Sequence, residues 1–263
     1  MISRHIFITD RKNMKFTNKI KTNWHDTDAH RNVRASKIIE YMQETANLQC
    51  ESSGLPLEML RDEKGLAFIL GALSVNIYSP LHAYEDIEVK TWCKEAKSYI
   101  FNRYFEIFRG DERIAEAATT WVLIDLNTKS MVRASSYDFM SGCFYYDEPI
   151  APDSLPPRAR IDSNAALCEV GKRKIVYSDI DYNMHMNNTH YPDMICDFLE
   201  EMTKEDSQCR VSSMALSYVK ESALGATLTV LRSERDNDGR VMIKTLNENG
   251  ESCLEAVIGL SEK

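Results

Sequence analysis

The sequence predicts an α+β chain made of two tandem copies of one unit, each a helix followed by about four antiparallel strands. Three observations carry this reading. Most of the chain alternates apolar and polar residues with period two, two stretches instead repeat at helical spacing, and the two halves match one another in sequence.

In chain order, residues 35–50 place Ile38, Ile39, Met42 and Ala46 on one helical face. LSVNIYS then alternates, with Leu73, Val75 and Ile77 on one side. DIEVKTWCK, YIFNRYFEIFR and IAEAATTWVLIDL continue as strands, the last two joined by an RGDE turn. A stretch rich in Pro, Asp and Ser, DEPIAPDSLPPRAR (147–160), marks a boundary, so residues 1–150 and 151–263 are expected as the two units. The second unit repeats the plan. A helix over 190–203 carries Tyr191, Met194, Ile195, Phe198 and Met202 on one face, with Asn188 or Thr189 as its cap and Pro192 in its first turn. CRVSSMALSYV, ATLTVLRSE, GRVMIKTL and LEAVIGL follow, separated by RDNDG and NENG turns.

The self-match is ungapped around the helices. WHDTDAHRNVRASKIIEYMQE lies over YSDIDYNMHMNNTHYPDMICD at an offset of 179 − 26 = 153, which puts Asp26 on Asp179 and Asp28 on Asp181. Further on, YSPLHAYEDIEVKTW lies over YVKESALGATLTVLR at 218 − 78 = 140, the first half having the longer connection around LPLEMLRDEKGLAF. Such similarity at domain scale indicates internal duplication.

Composition narrows the function. A hydrophobic fraction of 43% supports a packed core, and a formal net charge of −8 argues against binding nucleic acid through phosphate neutralisation. No run of about 18 apolar residues predicts a membrane span, and MISRHIFITDRKNMKF lacks the apolar core of a signal peptide. Seven cysteines without a CxxC pair read as reduced thiols, and a cytoplasmic location is expected.

The densest chemistry is in SDIDYNMHMNN (178–188). Asp179, Asp181 and Asn183 imitate the first ligands of a calcium loop, but Met184 and His190 occupy the places that need Gly and Glu. The first-half cluster His25, Asp26, Asp28 and His30 lacks a recognised metal-ligand spacing. Helix capping explains Asn188 or Thr189 alone. An extended segment would point Asp181, Asn183 and His185 to one side and Ile180, Tyr182, Met184 and Met186 into the core. A carboxylate, an amide and an imidazole ahead of a helix N-terminus make a catalytic constellation, although D-x-N-x-H by itself is a weak pattern.

DIDYNMHMNNTHY resembles the D-x-N-x-H-V-N-N-x-x-Y signature of the acyl-acyl carrier protein (acyl-ACP) thioesterases. NWHDTDAHRNVRASKIIEYMQETA is similar to that family's first helix region, and TTWVLIDLNTKSMVR to its W-V-x-x-D-x-x-T strand and turn. The resemblance covers roughly residues 16–260. It implies a tandem (double) hotdog fold, each unit a helix wrapped by an antiparallel sheet, the first binding the acyl chain and the second catalytic. The implied activity is hydrolysis of fatty acyl-ACP to free fatty acid in fatty acid biosynthesis. Carried over residue by residue, the catalytic set is Asp181, Asn183, His185 and Glu221. Asp181 would activate water or attack directly, Asn183 and His185 would position thioester and water, Glu221 would help hold or deprotonate the water, and N–H groups at the following helix end would hold the oxyanion. Plant members usually carry Cys after the Glu; Ser222 stands here, so a cysteine nucleophile at that position is not available. Met186 replaces Val conservatively.

Asp28, His30 and Asn32 are the first-half counterparts, with amide and imidazole exchanged, and read as a degenerate copy. Met59, Leu60, Phe68, Ile69 and Leu70 are candidates for the acyl pocket and equally for plain core. Cys196 reads as packing, and Trp92, Trp121 and Tyr218 as sheet residues. Lys172-Arg173-Lys174, Arg158/Arg160 and Arg31/Arg34 read as solvated surface or as a dock for the acidic carrier protein. No cofactor and no metal enter the expected chemistry, and one sequence does not decide for or against a homodimer. The rival readings are an acyl-coenzyme A thioesterase, a hotdog dehydratase and a non-catalytic acyl-binding module.

Overall fold

The structure is a computed structural model that describes residues 14–94, 96–136, 149–150, 154–204 and 209–262. Strand β1 (Phe16–Lys21) leads into helix α1 (Ala35–Ser52) and the short α2 (Leu57–Asp62). Then come β2 (Leu66–Ile77), β3 (Asp86–Cys93), β4 (Ile100–Arg109), β5 (Glu112–Asp125) and the two-residue β6 (Met131–Val132). The second half runs β7 (Cys168–Lys174), α3 (Tyr191–Asp197), α4 (Glu200–Thr203), β8 (Cys209–Tyr218), β9 (Thr227–Arg232), β10 (Arg240–Leu246) and β11 (Ser252–Glu262).

The strands form one antiparallel sheet in the order β1-β3-β4-β5-β2-β8-β11-β10-β9-β7, with β6 on β5. The order reads the same from either end once β1 is matched to β7, β2 to β8, and so on. At the centre Ser74 pairs with Ala215, its own counterpart at an offset of 215 − 74 = 141. A pseudo-twofold axis therefore passes between these two residues, and the two hotdog units share a continuous sheet. Backbone bonds repeat at the same offsets. Arg34 N donates to Asp26 O at 3.0 Å and Asn187 N to Asp179 O at 2.8 Å; Val33 N donates to Leu81 O at 2.7 Å and Met186 N to Ser222 O at 2.8 Å. The second offset is thus 141, not the 140 read from sequence: Tyr78 and Tyr218 look alike but are not equivalent.

Each half also opens with a strand that the apolar pattern does not reveal. β1 and β7 are the two outer edges of the sheet, and β7 (CEVGKRK) is exposed along most of its length. Charged edge strands of this kind resist pairing with other chains.

α1 follows its expected face. Ile38, Ile39 and Met42 are buried against the sheet, each worth about 1.5–3 kcal/mol of transfer free energy. No Gly or Pro interrupts α1 before Gly54, whose φ of 77° ends it. The second helix departs from expectation. Instead of one helix over 190–203, α3 stops at Asp197 and α4 begins at Glu200. Between them Leu199 is extended and fully buried, and the Phe198 ring packs against Gly171 at a bulge in β7. Arg232 on β9 then holds α4 through Glu201 at 2.7 Å. Ile38, Ile39, Met42 and Ala46 of α1 and Tyr191, Met194 and Ile195 of α3 belong to one apolar cluster that spans both halves.

Only part of the expected linker lies within the described residues. There Ala159 is buried, as is Ile161 just past its end, Ser217 Oγ on β8 donates to Ala159 O at 2.8 Å, and Asn76 Nδ2 on β2 donates to Ser154 O. This stretch packs across the joint between the halves.

Gly239 in the RDNDG turn has φ of 77°, and a Cβ there would lie 2.9 Å from the backbone oxygen of Leu260. Gly239→Ala is expected to destabilise the fold by at least about 1–2 kcal/mol, read as a lower urea midpoint at unchanged slope.

Candidate active site

The two polar loops fold alike. In the second half Asp181 N donates to His185 O at 3.0 Å and Met184 N to Asp181 O at 3.0 Å, while Asp181 Oδ1 accepts from Asn183 N at 2.8 Å. In the first half Asp28 N donates to Asn32 O at 2.8 Å and Arg31 N to Asp28 O at 3.0 Å. Asp28 Oδ1 accepts from the N–H groups of His30 and Asn32 at 2.8 and 2.9 Å. Met184 and Arg31 both take the left-handed conformation, at φ 65° and 66°. Each aspartate thus folds its own loop by bonding to backbone two to four residues on.

This turn overturns the extended reading of residues 180–186. Tyr182 and Met184 are 66% and 55% exposed rather than in the core; among the four residues expected inside, Met186 is buried and Ile180 half-buried. The cap is also different. Asn187 Oδ1 accepts from Thr189 N at 3.0 Å and Thr189 Oγ1 at 2.9 Å, so Asn187, not Asn188 or Thr189, caps the 3-10 turn (Asn188–His190) ahead of α3. His190 N is taken by Asn187 O at 3.0 Å. The N–H groups of Thr189 and His190 are therefore spent within the turn that leads into α3.

The four predicted residues form two pairs. Asp181 Oδ2 accepts from Asn183 Nδ2 at 3.3 Å. His185 Nδ1 faces Glu221 Oε2 at 3.2 Å. In a neutral imidazole that pairing sets the ring proton on Nδ1 and leaves Nε2 as an acceptor. Glu221 is delivered by backbone: a bridge joins His185 to Ala223, and Val219 N and Lys220 N donate to Cys253 O at 2.9 and 3.1 Å.

Asp181 and Asn183 also line a cavity of about 300 Å³, at the lower end for ligand pockets. It extends from the loop to α1, α2, β2, β4 and β5 of the other half. Ala46, Leu57, Leu60, Phe68, Phe101 and Trp121 form much of its apolar wall. Among the expected pocket residues Leu60 and Phe68 line it. Met59, Ile69 and Leu70 do not; Ile69 is 42% exposed and Leu70 is buried elsewhere in the core. At another part of the wall the buried Arg103 guanidinium donates to Gln49 Oε1 at 2.6 Å and Thr91 Oγ1 at 3.2 Å. His185 and Glu221 stand beside this cavity rather than among its lining residues.

The pseudo-symmetry supplies a second cavity of about 270 Å³, lined by Asp28, His30 and Asn32 from the first loop and by Asp193, Cys196 and Asp197 from α3. The counterpart of Glu221 at the 141 offset is Pro80, so the position equivalent to Glu221 carries no carboxylate in this copy. Burial pushes the Cys196 thiol up to about 12, which leaves it unreactive at neutral pH. Ser222 Oγ is buried and accepts from Tyr191 OH at 2.9 Å, a structural bond inside the second half. Arg173, in the basic run on β7, is committed to buried Asp179 at 2.6 Å, and Arg34 faces Asp193 at 3.8 Å.

Three residues at the site escaped sequence reasoning. Arg61 on α2 donates through Nη1 to Asn183 Oδ1 and lies 4.8 Å over the Tyr182 ring. Gln43 Nε2 on α1 donates to Asn188 Oδ1 at 2.7 Å. Trp121, read as an ordinary sheet residue, lines the cavity. No local pattern points to the first two, because their partners lie 122 and 145 residues away.

Residues 13–140 match the profile of the acyl-ACP thioesterase N-terminal domain, and residues 168–259 that of the acyl-ACP thioesterase C-terminal domain. Among solved structures, an acyl-ACP thioesterase from Bacteroides thetaiotaomicron aligns with TM-score 0.80 at 20% identity, covering 93% of this chain and 97% of that one. The 12:0-ACP thioesterase from Umbellularia californica aligns with TM-score 0.80 at 16% identity, covering 95% and 98%. These structures share the double hotdog fold, and the two profiles together account for most of the sequence. The chain belongs to the acyl-ACP thioesterase family and is a thioester hydrolase.

Proposed function

We propose that this protein releases fatty acids from acyl carrier protein at the end of chain synthesis, with Asp181, Asn183, His185 and Glu221 as its catalytic set. The observation that carries this reading is the cavity: an apolar chamber in residues 1–150 opens onto Asp181 and Asn183 from residues 151–263. The first unit takes the acyl chain and the second performs the chemistry.

Asp181 removes a proton from water, and the hydroxide adds to the thioester carbonyl carbon. Asn183 Nδ2 and the His185 ring orient thioester and water, while Glu221 fixes the imidazole tautomer and steadies it. The C–S bond then breaks, the sulfur takes the proton from Asp181, and the products are a fatty acid and the carrier's thiol. Asp28, His30 and Asn32 serve structure in this scheme, since Pro80 stands where a second carboxylate would be needed. Lys172 and Lys174 on the β7 edge, with Arg31 and Arg160, are exposed basic candidates for docking an acidic carrier.

Thiol release from a panel of acyl chains, each offered on acyl carrier protein and on coenzyme A, tests the partner. Carrier-selective turnover is expected. Equal or better turnover of the coenzyme A esters would keep the hydrolysis and remove the carrier protein.

A further inference from the structure

We propose that Arg61 is a positioning residue that couples filling of the acyl cavity to the orientation of the Asn183 amide. The inference rests on the reading of Asn183 as catalytic and of the cavity as the acyl site.

Leu57, Leu60 and Arg61 are spaced i, i+3 and i+4, so they share one face of α2, and all three line the cavity. The same helix face thus presents two apolar side chains to the acyl chain and one cation to the catalytic loop. From there Arg61 grips two consecutive residues of the other half: its Nη1 donates to Asn183 Oδ1, and its guanidinium covers the Tyr182 ring at 4.8 Å.

An asparagine amide has two nearly isosteric orientations, and its neighbours decide between them. A guanidinium donates and never accepts, so Arg61 requires the oxygen of Asn183 on its side. The Nδ2 group is then directed to Asp181 Oδ2, at 3.3 Å. Flipping the amide would set NH₂ against the guanidinium and oxygen against the carboxylate, two repulsive contacts in place of two bonds. Arg61 therefore selects the orientation in which Asn183 donates to Asp181.

α2 is six residues long, too short to hold its shape by helical hydrogen bonding alone. Its seat is the apolar contact of Leu60, which is 2% exposed, together with the cavity wall itself. An acyl chain lying against Leu57 and Leu60 completes that seat and fixes Arg61 against Asn183. Chain length is then read in kcat as well as in KM.

The test is steady-state kinetics of the full chain with short and long acyl thioesters, on whichever carrier turns over faster in the panel above. The proteins are wild type, Arg61→Met, Arg61→Lys, Asn183→Ala and the Arg61→Met/Asn183→Ala double variant, each checked by thermal melting. Arg61→Met should lower kcat for long chains by ~10–100-fold, the worth of a hydrogen bond to a charged group, and should flatten the rise of kcat with chain length. Arg61→Lys should recover part of the loss. In the Asn183→Ala background Arg61→Met should cost nothing further, a non-additivity that loss of packing alone would not produce. Unchanged kcat in Arg61→Met, or losses that multiply in the double variant, would overturn the coupling while leaving the catalytic set intact. Full activity in Asn183→Ala would remove both the coupling and this residue's place in the set.

Discussion

Asp181→Asn is expected to lower turnover by roughly 10²–10⁴-fold with little change in melting temperature. The substitution keeps the loop bond of this side chain while removing its negative charge and the bond it accepts from Asn183 Nδ2. Its Oδ1 folds the loop by accepting the Asn183 N–H at 2.8 Å, and an amide oxygen does this as well as a carboxylate. What the amide cannot do is take a proton from water or attack a carbonyl, so both versions of the chemistry fail together. Asp181→Ala would remove the loop bond as well, and a loss of activity there would be harder to assign. Single-turnover hydrolysis and a melting curve on the same preparation decide the matter. Turnover within tenfold of wild type in a folded Asp181→Asn protein would sink the catalytic assignment.

Ala46→Leu is expected to shift chain-length preference downward, with roughly 50-fold loss on the longest chains accepted by the wild type. Ala46 lies on the α1 face that lines the cavity, one turn from Gln43 and one from Cys50. Leucine there adds three carbons to the space. If they displace three acyl methylenes at about 0.8 kcal/mol each, the cost is about 2.4 kcal/mol. Alanine and leucine are both strong helix formers, so α1 itself should tolerate the change. The readout is kcat/KM across a homologous series. An unaltered profile would mean that the acyl chain lies elsewhere.

How far the sequence revealed these features followed the range over which each is encoded. The candidate set was legible because Asp181, Asn183 and His185 are near neighbours, and the family resemblance pointed to Glu221, three residues past the end of β8. Their geometry was less so. A turn closed by Asp181 on backbone N–H groups leaves the alternation of apolar residues intact on paper while turning Tyr182 and Met184 outward. β1 and β7 were missed because edge strands bury few side chains, leaving little hydrophobic period to detect. Six residues give no helical repeat, so in the sequence α2 reads as a connection, and Arg61 with it. The self-match found the right offset around the helices and slipped by one at Tyr78, where a chance identity outweighed a pairing visible only through Leu81 and Ser222.

The axis through Ser74 and Ala215 has a consequence for divergence. Two identical chains meeting across such an axis would carry every substitution twice, so a residue lost from one site is lost from both. Here the two positions belong to one polypeptide and vary independently. Proline can replace the carboxylate at position 80 while glutamate stays at 221, and one chamber can be reshaped for an aliphatic chain without altering its twin. Covalent continuity frees each copy from the compromise that exact symmetry imposes. It allows a fold with two equivalent sites to change one of them without changing the other.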